Sequence, residues 1–358
     1  VESRGLGDVY KRQDNNIIKV EASDSKSIVW DNDSGRENKE YRGVFYLYNT
    51  ASGLVIVNQV NMNDYAAGVI ASEIGEQSPE EALKAQAVCA RTYIVDSKPE
   101  DYKEFDANGD DSTAYQVYNR VSVGEKCKKA VRDTTNEIIT YKGKPITAYY
   151  FSTSCGYTTD YKIWGKEKQK YLKGCTTLKD DGKIDITVED NFRKFIKSKP
   201  KSYESKCPFY RWNVYLSNIQ IQNAIAAVSG INVGSISRIE INKRGCGGIA
   251  SQITVYGSNK QIIMNNQNQI RKALCSYFAQ IKLNDGSVRN KMDMLPSAYI
   301  YIENVYNEGS LCGFKIYGGG YGHGSGMSQN AARAMAQEGT NYKKILKTFY
   351  NGVTIEKY

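Results

Sequence analysis

Three kinds of side chain in this sequence have the chemistry to act in a functional site. Glu73 is a carboxyl group among small and apolar residues, in "ASEIG". His323 is the only histidine and lies in the glycine-rich stretch "YGGGYGHGSGMSQ". Cys155 follows the hydroxyl-rich "STS". A carboxyl group can act as a general acid, a histidine as a base, and a cysteine as a nucleophile or a metal ligand.

The sequence predicts that Glu73 lies in the last turn of a short helix. Asn63 or Asp64 can cap the first turn of that helix, and Gly75 can end it. Residues four positions apart share one face of a helix. The predicted face of the carboxyl group therefore carries Tyr65, Val69 and Glu73.

A position at the end of a helix affects the charge of the Glu73 carboxyl. The negative end of the helix dipole and the apolar neighbours both disfavour the carboxylate, so we expect the pKa of Glu73 to be raised, as a general acid requires. Two structural alternatives remain: a solvated helix end, or an ion pair with Lys84 or Arg91. Glycosidases generally use two carboxyl groups, and the sequence shows no evident partner for Glu73.

The elements around Glu73 can also be predicted. "SPEEALKAQAVCARTYIVDSK" is the clearest helix of the chain. Ser78 is its predicted N-cap, Pro79 its first helical residue, and Glu81 completes a capping box. Before both helices, "YRGVFYLYNTASGLVIVNQV" predicts two strands joined in a hairpin around "NTASG".

The glycine-rich stretch around His323 follows a predicted strand and precedes a predicted helix that ends at Gly339. Glycines at this density let the backbone approach a ligand or another strand. The stretch contains no G-x-G-x-x-G register and no G-K-[ST], so it supports neither type of nucleotide binding. The structural alternative is a tight turn in which His323 makes hydrogen bonds.

The eight cysteines form no C-x-x-C pair and no Cys/His cluster, which argues against a common zinc module. Their even number fits disulfides in an exported protein, but the spacing does not define the pairs. Cys155 and Cys175 are candidates for a disulfide or for zinc ligands. A nucleophilic Cys155 with His323 as its base is a further alternative, although nothing nearby indicates an activated thiol.

Length and composition limit the class of protein. The 358 residues suffice for one elaborate domain or two, and 41% hydrophobic and 24% charged residues are typical of a globular chain. No apolar run is long enough to span a membrane. The net charge of +9 favours polyanions, including an anionic cell wall. Lys and Arg are scattered and no nucleic-acid-binding motif occurs, so we expect no nucleic-acid partner.

The beginning of the chain differs from the rest. "SRGLGDVYKRQ" has no periodicity, so residues 1–13 are predicted to be a non-native or unstructured leader, followed by one domain at 14–358. We expect a missing N-terminal segment to direct export and to anchor the protein to the membrane or the cell wall.

Three segments, in order from about residue 42 to the C-terminus, resemble the stage II sporulation protein D and LytB amidase-enhancer family. The first is "YRGVFYLY…VNQVNMNDYAAGVIASEIG…SPEEALKAQAVCARTYIV". The second is "TYKGKPITAYYFSTSCGYTTD…WG…YLKG", and the third is "GGGYGHGSGMSQNAARAMAQEGTNYKKILKTFYNGVTI". Within the domain, 42–165 is the motif region with the glutamate, and 166–358 is the remainder that closes with "GHGSGMSQ".

The resemblance implies a peptidoglycan lytic transglycosylase. Sporulation members of the family are exported, membrane-anchored enzymes that cleave peptide-stripped glycan strands during forespore engulfment. One carboxyl group suffices for them, because the 6-hydroxyl of N-acetylmuramic acid attacks the anomeric carbon and gives a 1,6-anhydro end. Amidase-enhancer members instead stimulate a cell-wall amidase, so the alternative is a non-catalytic activator of an N-acetylmuramoyl-L-alanine amidase. The implied partners are glycan strands, an amidase and other engulfment proteins.

The resemblance also implies roles for particular residues. Glu73 matches the catalytic acid and base of the family. Tyr171 and Lys173 of "YLKG" match positions implicated in activity. The further residues implied or suited to bind the glycan in the cleft are Arg91, Ser152, His323 and Gln329.

We expect no cofactor and an α+β fold. Some relatives bind zinc near the stretch that corresponds to "FSTS", through Cys and His. Here no histidine lies nearby, so zinc would need Cys155, Cys175 and Cys207. The expected architecture has curved, mostly antiparallel sheets and short helices around a substrate groove.

Overall fold

A computed structural model describes residues 10–14, 17–22, 28–30, 39–95, 97, 99–118, 123–160, 162, 169–180 and 184–358 of the chain. Backbone contacts divide the chain into two compact units. The first unit consists of Val1–Ala148 and Thr354–Tyr358, and the second of Tyr149–Val353. The sequence regions predicted at 42–165 and 166–358 stay a prediction.

The described residues of the first unit form three antiparallel sheets and three α-helices. Strands β1, β2, β5 and β6 form one sheet, β7 and β8 pair with β19 in another, and β3 pairs with β4. In chain order the elements are β1 (Tyr10–Asp14), β2 (Ile17–Glu21), β3 (Ile28–Trp30), β4 (Lys39–Tyr41), β5 (Val44–Thr50), β6 (Gly53–Gln59), α1 (Met62–Glu73), α2 (Glu80–Val95), α3 (Glu125–Asp133), β7 (Glu137–Tyr141), β8 (Lys144–Pro145) and β19 (Thr354–Lys357).

The second unit contains a five-stranded antiparallel sheet, a three-stranded antiparallel sheet and one short parallel pair. Their strand orders are β15-β14-β10-β17-β16, β11-β12-β13 and β18-β9. In chain order the elements are β9 (Tyr150–Phe151), α4 (Glu189–Lys197), β10 (Trp212–Ser217), α5 (Asn218–Ser229), β11 (Ile236–Arg244), β12 (Ala250–Gly257), β13 (Gln261–Met264), α6 (Gln267–Ala273), β14 (Ile281–Leu283), β15 (Val288–Arg289), β16 (Ile300–Asn307), β17 (Ser310–Gly318), β18 (Met327–Ser328), α7 (Gln329–Gln337) and α8 (Tyr342–Phe349).

The start of α1 corrects the sequence prediction, and its end confirms it. Asn61, not Asn63 or Asp64, is the N-cap, and its side chain accepts a hydrogen bond from the N–H of Asn63 at 2.9 Å. Asn61 has the extended backbone that an N-cap needs, whereas the other two residues are already helical. Gly75, with φ +77°, donates its N–H to the carbonyl of Ile70 and ends the helix as predicted.

Helix α2 packs against α1, α3 and β7. It begins at Glu80, one residue after the predicted start, and the carbonyl of Pro79 accepts hydrogen bonds in its first turn. Small side chains allow the close packing, and four alanines of the helix are fully buried: Ala82, Ala85, Ala87 and Ala90. Most of the helix is therefore interior, which makes it a firm support for α1.

The hairpin prediction is confirmed, because β5 and β6 are antiparallel and meet at Thr50 and Gly53. The leader prediction falls partly outside the described residues. Residues 1–9 are not described, whereas residues 10–13 belong to β1, which pairs with β2. Among the described helices, none combines the length and the apolar character that crossing a membrane requires.

A large hydrophobic core of the second unit lies on one face of the five-stranded sheet, and a second cluster with α4 packs against Tyr301 and Tyr317 on the other face. Alternate residues of β10 point to opposite faces, so Val214 and Leu216 are fully buried while Tyr215 is 47% exposed. Ile221 and Ile225 of α5 join the same hydrophobic core. Helices, antiparallel sheets and one parallel strand pair confirm the predicted α+β class.

Candidate functional site

Glu73 is the last residue of α1 and is half-buried. Its Oε1 accepts a hydrogen bond from the backbone N–H of Val117, at 2.9 Å. Val69, one turn earlier in the same helix, is fully buried. Because Oε1 accepts this bond, a proton on the neutral carboxyl group is directed to Oε2. The carboxyl group is therefore oriented by the backbone.

The segment that carries Val117 is itself held in place by neighbouring side chains. Gln116 is fully buried and donates from Nε2 to the hydroxyl of Tyr65 at 3.0 Å and to the carbonyl of Ala90 at 3.2 Å. The rings of Tyr118 and Tyr65 lie 5.2 Å apart. Burial raises the pKa of Tyr65, so its hydroxyl stays neutral at physiological pH. Residues 116–118 therefore join α1 to α2 beside Glu73.

The two cations that the sequence offers as ion-pair partners of Glu73 are engaged elsewhere. Lys84 forms ion pairs with the carboxylates of Glu80, Glu81 and Asp133. Arg91 is 2% exposed and donates from Nη1 to the carbonyl of Glu137 at 2.8 Å, which ties α2 to β7. Burial lowers the pKa of Arg91. Its predicted role in glycan binding stays a prediction, and its observed role is in packing.

In the second unit, the glycine-rich loop runs along the strand that begins at Tyr150. The backbone of β18 pairs in parallel with β9, and Thr153 pairs with Tyr321. Gly326 has φ +79°, and a Cβ atom there would lie 1.9 Å from the carbonyl oxygen of Tyr149. The predicted strand, glycine-rich loop and helix are confirmed, and here the glycine serves close approach of two backbones.

His323 ties the glycine-rich loop to β9. Its Nε2 lies 2.9 Å from the carbonyl oxygen of Tyr150, and its Nδ1 accepts the N–H of Ser325 at 3.2 Å. Since Nδ1 accepts, the proton of the neutral ring is on Nε2, which donates to Tyr150. Burial lowers the pKa of His323 to about 4, so the ring is neutral at pH 7. The predicted structural role of this histidine is confirmed.

Ser152 and Gln329 directly follow β9 and β18, so both lie at the same end of this parallel pair. The carbonyl of Ser152 accepts the N–H of Asn330 at 3.0 Å, and its hydroxyl lies 3.1 Å from that of Thr153. Gln329 is the first residue of α7 and is 6% exposed. The structure thus brings Ser152, His323 and Gln329 to one strand pair, while their predicted contacts with a glycan stay predictions.

Tyr171 and Lys173 lie on a segment with a fixed backbone. The carbonyl of Tyr171 accepts the N–H of Asn351 at 2.9 Å, and its side chain is largely buried. Lys173 is exposed, and its backbone bridges to Asp160. Of these two residues, Lys173 is the one whose side chain is accessible to a large ligand.

Glu204 is a carboxyl group that the sequence prediction missed. It is fully buried, and burial raises its pKa. Its Oε1 accepts the N–H of Ser154 at 2.7 Å and the hydroxyl of Ser328 at 2.6 Å. Its Oε2 accepts the hydroxyl of Thr177 at 3.1 Å and that of Ser154. The surrounding "YESKC" carries no pattern that marks this glutamate, because its partners come from distant segments.

The cysteines do not form the alternative sites that the sequence left open. Burial raises the pKa of Cys155 to about 12 and that of Cys175 to about 11, so both thiols are protonated at neutral pH. A nucleophilic Cys155 is therefore not supported. Within the described residues, no three or more His, Cys, Asp or Glu side chains are grouped to hold a metal ion, so Cys155, Cys175 and Cys207 do not fit a zinc site.

Two families match parts of the chain. Residues 50–141 match the family described as stage II sporulation protein, and residues 159–280 match a domain of unknown function. The first match contains Glu73, the helix α1 that carries it, and the helix α2 that packs against α1. The second contains Tyr171, Lys173 and Glu204.

Individual relatives match over most of the chain. An uncharacterized protein of Brachyspira hyodysenteriae is 33% identical over 324 residues, which are 89% of this chain and 73% of the relative. The stage II sporulation protein D of Bacillus amyloliquefaciens is 27% identical over 84% of this chain and 76% of its own length. The amidase enhancer of Bacillus subtilis is 27% identical over 81% of this chain but only 40% of its own length.

Proposed function

Since the chain belongs to the stage II sporulation protein D and LytB amidase-enhancer family, we propose that it is a peptidoglycan lytic transglycosylase with Glu73 as its acid and base. Its substrate is a glycan strand stripped of peptide, in which it cleaves the bond between N-acetylmuramic acid and N-acetylglucosamine during forespore engulfment. The observation that carries the proposal is the half-buried Glu73 carboxyl, oriented by the N–H of Val117.

The reaction needs one group that first gives and then takes a proton. Neutral Glu73 donates its proton from Oε2 to the glycosidic oxygen, and the bond to the leaving sugar breaks. The resulting carboxylate takes the proton of the muramic acid 6-hydroxyl, whose oxygen bonds to the anomeric carbon. The carboxyl group returns to its starting state, the product carries a 1,6-anhydro end, and no water is consumed.

Lys173 and Tyr171 serve the substrate in this proposal. The exposed ammonium group of Lys173 suits the lactyl carboxylates of muramic acid, which are free once the peptides are removed. Tyr171 is largely buried, and its part in the proposal is to support the segment that presents Lys173. Export and attachment to the membrane or the cell wall belong to the same proposal, since the substrate lies outside the cytoplasm.

The test is mass spectrometry of products from purified, peptide-stripped glycan strands. We expect anhydro-ended sugars from the unmodified protein and a loss of about 100-fold or more in Glu73→Gln, the size of a general acid's contribution. Glu76→Gln is the matched control, since Glu76 lies just beyond α1 and binds the N–H of Lys126. Undiminished cleavage by Glu73→Gln would refute the proposal.

The second candidate is a cell-wall-bound activator of an N-acetylmuramoyl-L-alanine amidase. It is favoured by the similarity to a protein named amidase enhancer over 81% of this chain. It predicts that neither the unmodified protein nor Glu73→Gln releases anhydro sugars. Both proteins should bind the strands, and both should stimulate an added amidase equally.

A further inference from the structure

The outward face of the five-stranded sheet in the second unit carries a groove that the proposed reaction does not use. The groove has a volume of about 410 Å³. Its lining includes Asn213, Tyr215, Phe278, Lys282 and Lys315. We propose that this groove is an accessory binding site for an acidic glycan strand.

The strand register determines which polar side chains lie on the face that carries the groove. Asn213 and Tyr215 alternate with buried residues of β10, so both point outward. Lys282 of β14 lies opposite Asn213, and Lys315 of β17 lies opposite Tyr215. The two lysines therefore flank the central strand diagonally, two strand separations across and two residues along, or roughly 12 Å between their Cα atoms.

The charges of the groove suit an anionic ligand. In the described part of the chain, neither Lys282 nor Lys315 has a carboxylate within ion-pair distance. The acidic neighbour of Lys315 in the register is Glu303, which is held by Lys197 at 2.5 Å. The ammonium group of Lys315 lies 5.1 Å from the centre of the Tyr317 ring and contributes to lowering the pKa of Glu303. Since neither lysine is in an ion pair with a described residue, both ammonium groups can still bind carboxylates of a ligand.

The aromatic residues of the groove indicate a second property of the ligand, a flat ring that can pack against them. Phe278 is 82% exposed, although a phenylalanine in solvent adds nothing to the core. Its backbone is fixed, since Ala279 donates to the carbonyl of Ser276 at 2.8 Å and Lys291 donates to that of Tyr277 at 2.9 Å. An exposed ring on a fixed backbone, in the same groove as the half-exposed Tyr215, offers flat apolar surface to a pyranose ring.

Carboxylates and sugar rings occur together in peptide-stripped glycan strands, whose lactyl groups are free acids. The choice of peptide-stripped glycan as the ligand rests on the proposed function. The inference that the ligand is acidic and contains pyranose rings rests on the lysines and aromatic rings of the groove. A second binding site on the same chain would hold a long strand through several weak contacts. The proposal also assigns a role to part of the domain of unknown function at residues 159–280, which includes Tyr215 and Phe278.

The experiment measures binding of the full chain to purified, peptide-stripped glycan strands, with every variant made in Glu73→Gln. We expect Lys282→Gln with Lys315→Gln to weaken binding about tenfold at low salt and to flatten its salt dependence. We expect Phe278→Ala to weaken it about fivefold. Matched controls are Lys206→Gln with Lys260→Gln, which removes the same charge elsewhere, and Ile263→Ala, which truncates another exposed apolar residue. These should change binding less than twofold.

Two further probes separate charge from sugar. Chitin oligosaccharides lack carboxylates, so they should bind more weakly than the glycan strands. Their binding should depend on Phe278 and not on the lysines. Polyphosphate lacks sugar rings and should depend on the lysines and not on Phe278. The proposal is overturned if strand binding is unchanged in both groove variants. It is also overturned if binding of the strands, like that of polyphosphate, depends on the lysines and not on Phe278. A third contrary result is sedimentation showing that Phe278→Ala abolishes self-association, since the occupant of the groove would then be a second copy of the chain.

Failure of this proposal can be told from failure of the proposed function. If the groove variants lose strand binding while the unmodified protein releases no anhydro sugars, only the groove proposal survives. If Glu73→Gln abolishes cleavage while the groove variants bind normally, only the transglycosylase survives.

Discussion

Glu73 in the first unit and Glu204 in the second are both carboxyl groups away from bulk solvent, but their surroundings differ. Glu73 is half-buried at a helix end and is oriented by the backbone N–H of Val117. Glu204 is fully buried and accepts hydrogen bonds from Ser154, Thr177 and Ser328. Glu73 has the access that a reacting group needs, whereas Glu204 is surrounded by donors that hold it in place.

The comparison shows why burial alone does not identify a catalytic residue. Burial raises the pKa of Glu204, as a general acid also requires, yet its two oxygens are occupied by four protein donors and no substrate can reach them. Its role is to fix the segment of Ser154 against those of Thr177 and Ser328. Four predictions test the difference between the two carboxyl groups and the units that contain them.

The largest expected effect distinguishes the two glutamates by activity. Glu73→Gln should reduce release of anhydro sugars by about 100-fold or more, whereas Glu204→Gln should retain most of it. Glutamine at position 204 can still accept the N–H of Ser154, and the hydroxyls of Ser154 and Thr177 can turn to accept from its amide. Product mass spectrometry on both variants checks this, and equal losses would mean that the two sites are not distinct in role.

The next effect distinguishes them by stability. Glu204→Ala leaves the N–H of Ser154 buried without its partner and should lower the free energy of unfolding by about 3 kcal/mol. Glu73→Ala should cost about 1 kcal/mol or less, because the half-buried N–H of Val117 can bind water. Urea unfolding of each variant beside the unmodified protein measures both values. A larger loss at position 73 would contradict the assignment of Glu204 as the holding residue.

A smaller effect is expected at Lys173. Its exposed side chain makes Lys173→Gln nearly neutral for folding, within about 0.5 kcal/mol. If Lys173 binds lactyl carboxylates, the variant should cleave peptide-stripped strands about tenfold more slowly, with a weaker salt dependence. Lys170→Gln on the same segment is the matched control. Equal cleavage rates for the two variants would refute the proposed role of Lys173 in binding the lactyl carboxylates.

The smallest effect is a pH dependence from His323. Its folded pKa of about 4 lies below the ordinary value of 6.5, so the folded state favours the neutral ring. The stability that this contributes is fully present above pH 6.5 and is lost as the pH falls toward 4. Unfolding measured across this range should therefore decline less steeply in His323→Gln than in the unmodified protein. Because the chain has one histidine, parallel curves would contradict the neutral imidazole.

Local sequence signals predicted the elements of both units with good success. The hairpin of β5 and β6, the end of α1 at Gly75 and the order of strand, glycine-rich loop and helix around His323 were all predictable, because turn residues, glycines and apolar spacing act over a few residues. The capping residue of α1 was predicted wrongly. Asn61, Asn63 and Asp64 all have capping side chains, and only the backbone angle at Asn61 decides among them.

The candidate site was predictable in its identity and not in its geometry. The motif containing Glu73 has a recognisable sequence, but the donor of its hydrogen bond comes from Val117, 44 residues later. Arg91 carries a charge that suggests a surface role, yet the packing of α2 against β7 buries it. Glu204 had no local signal at all, since its donors lie 27 to 124 residues away.

The sequence by itself determined the family and the α+β class and made the glutamate of the "SE" motif a candidate, because these depend on residue types and spacings within single segments. Only the tertiary structure decided which glutamate is held by four donors, which cation is buried, and that Lys282, Tyr215 and Lys315 share one outward sheet face. Hydrogen bonds, burial and strand register join residues that are distant in the chain, and no local pattern contains them.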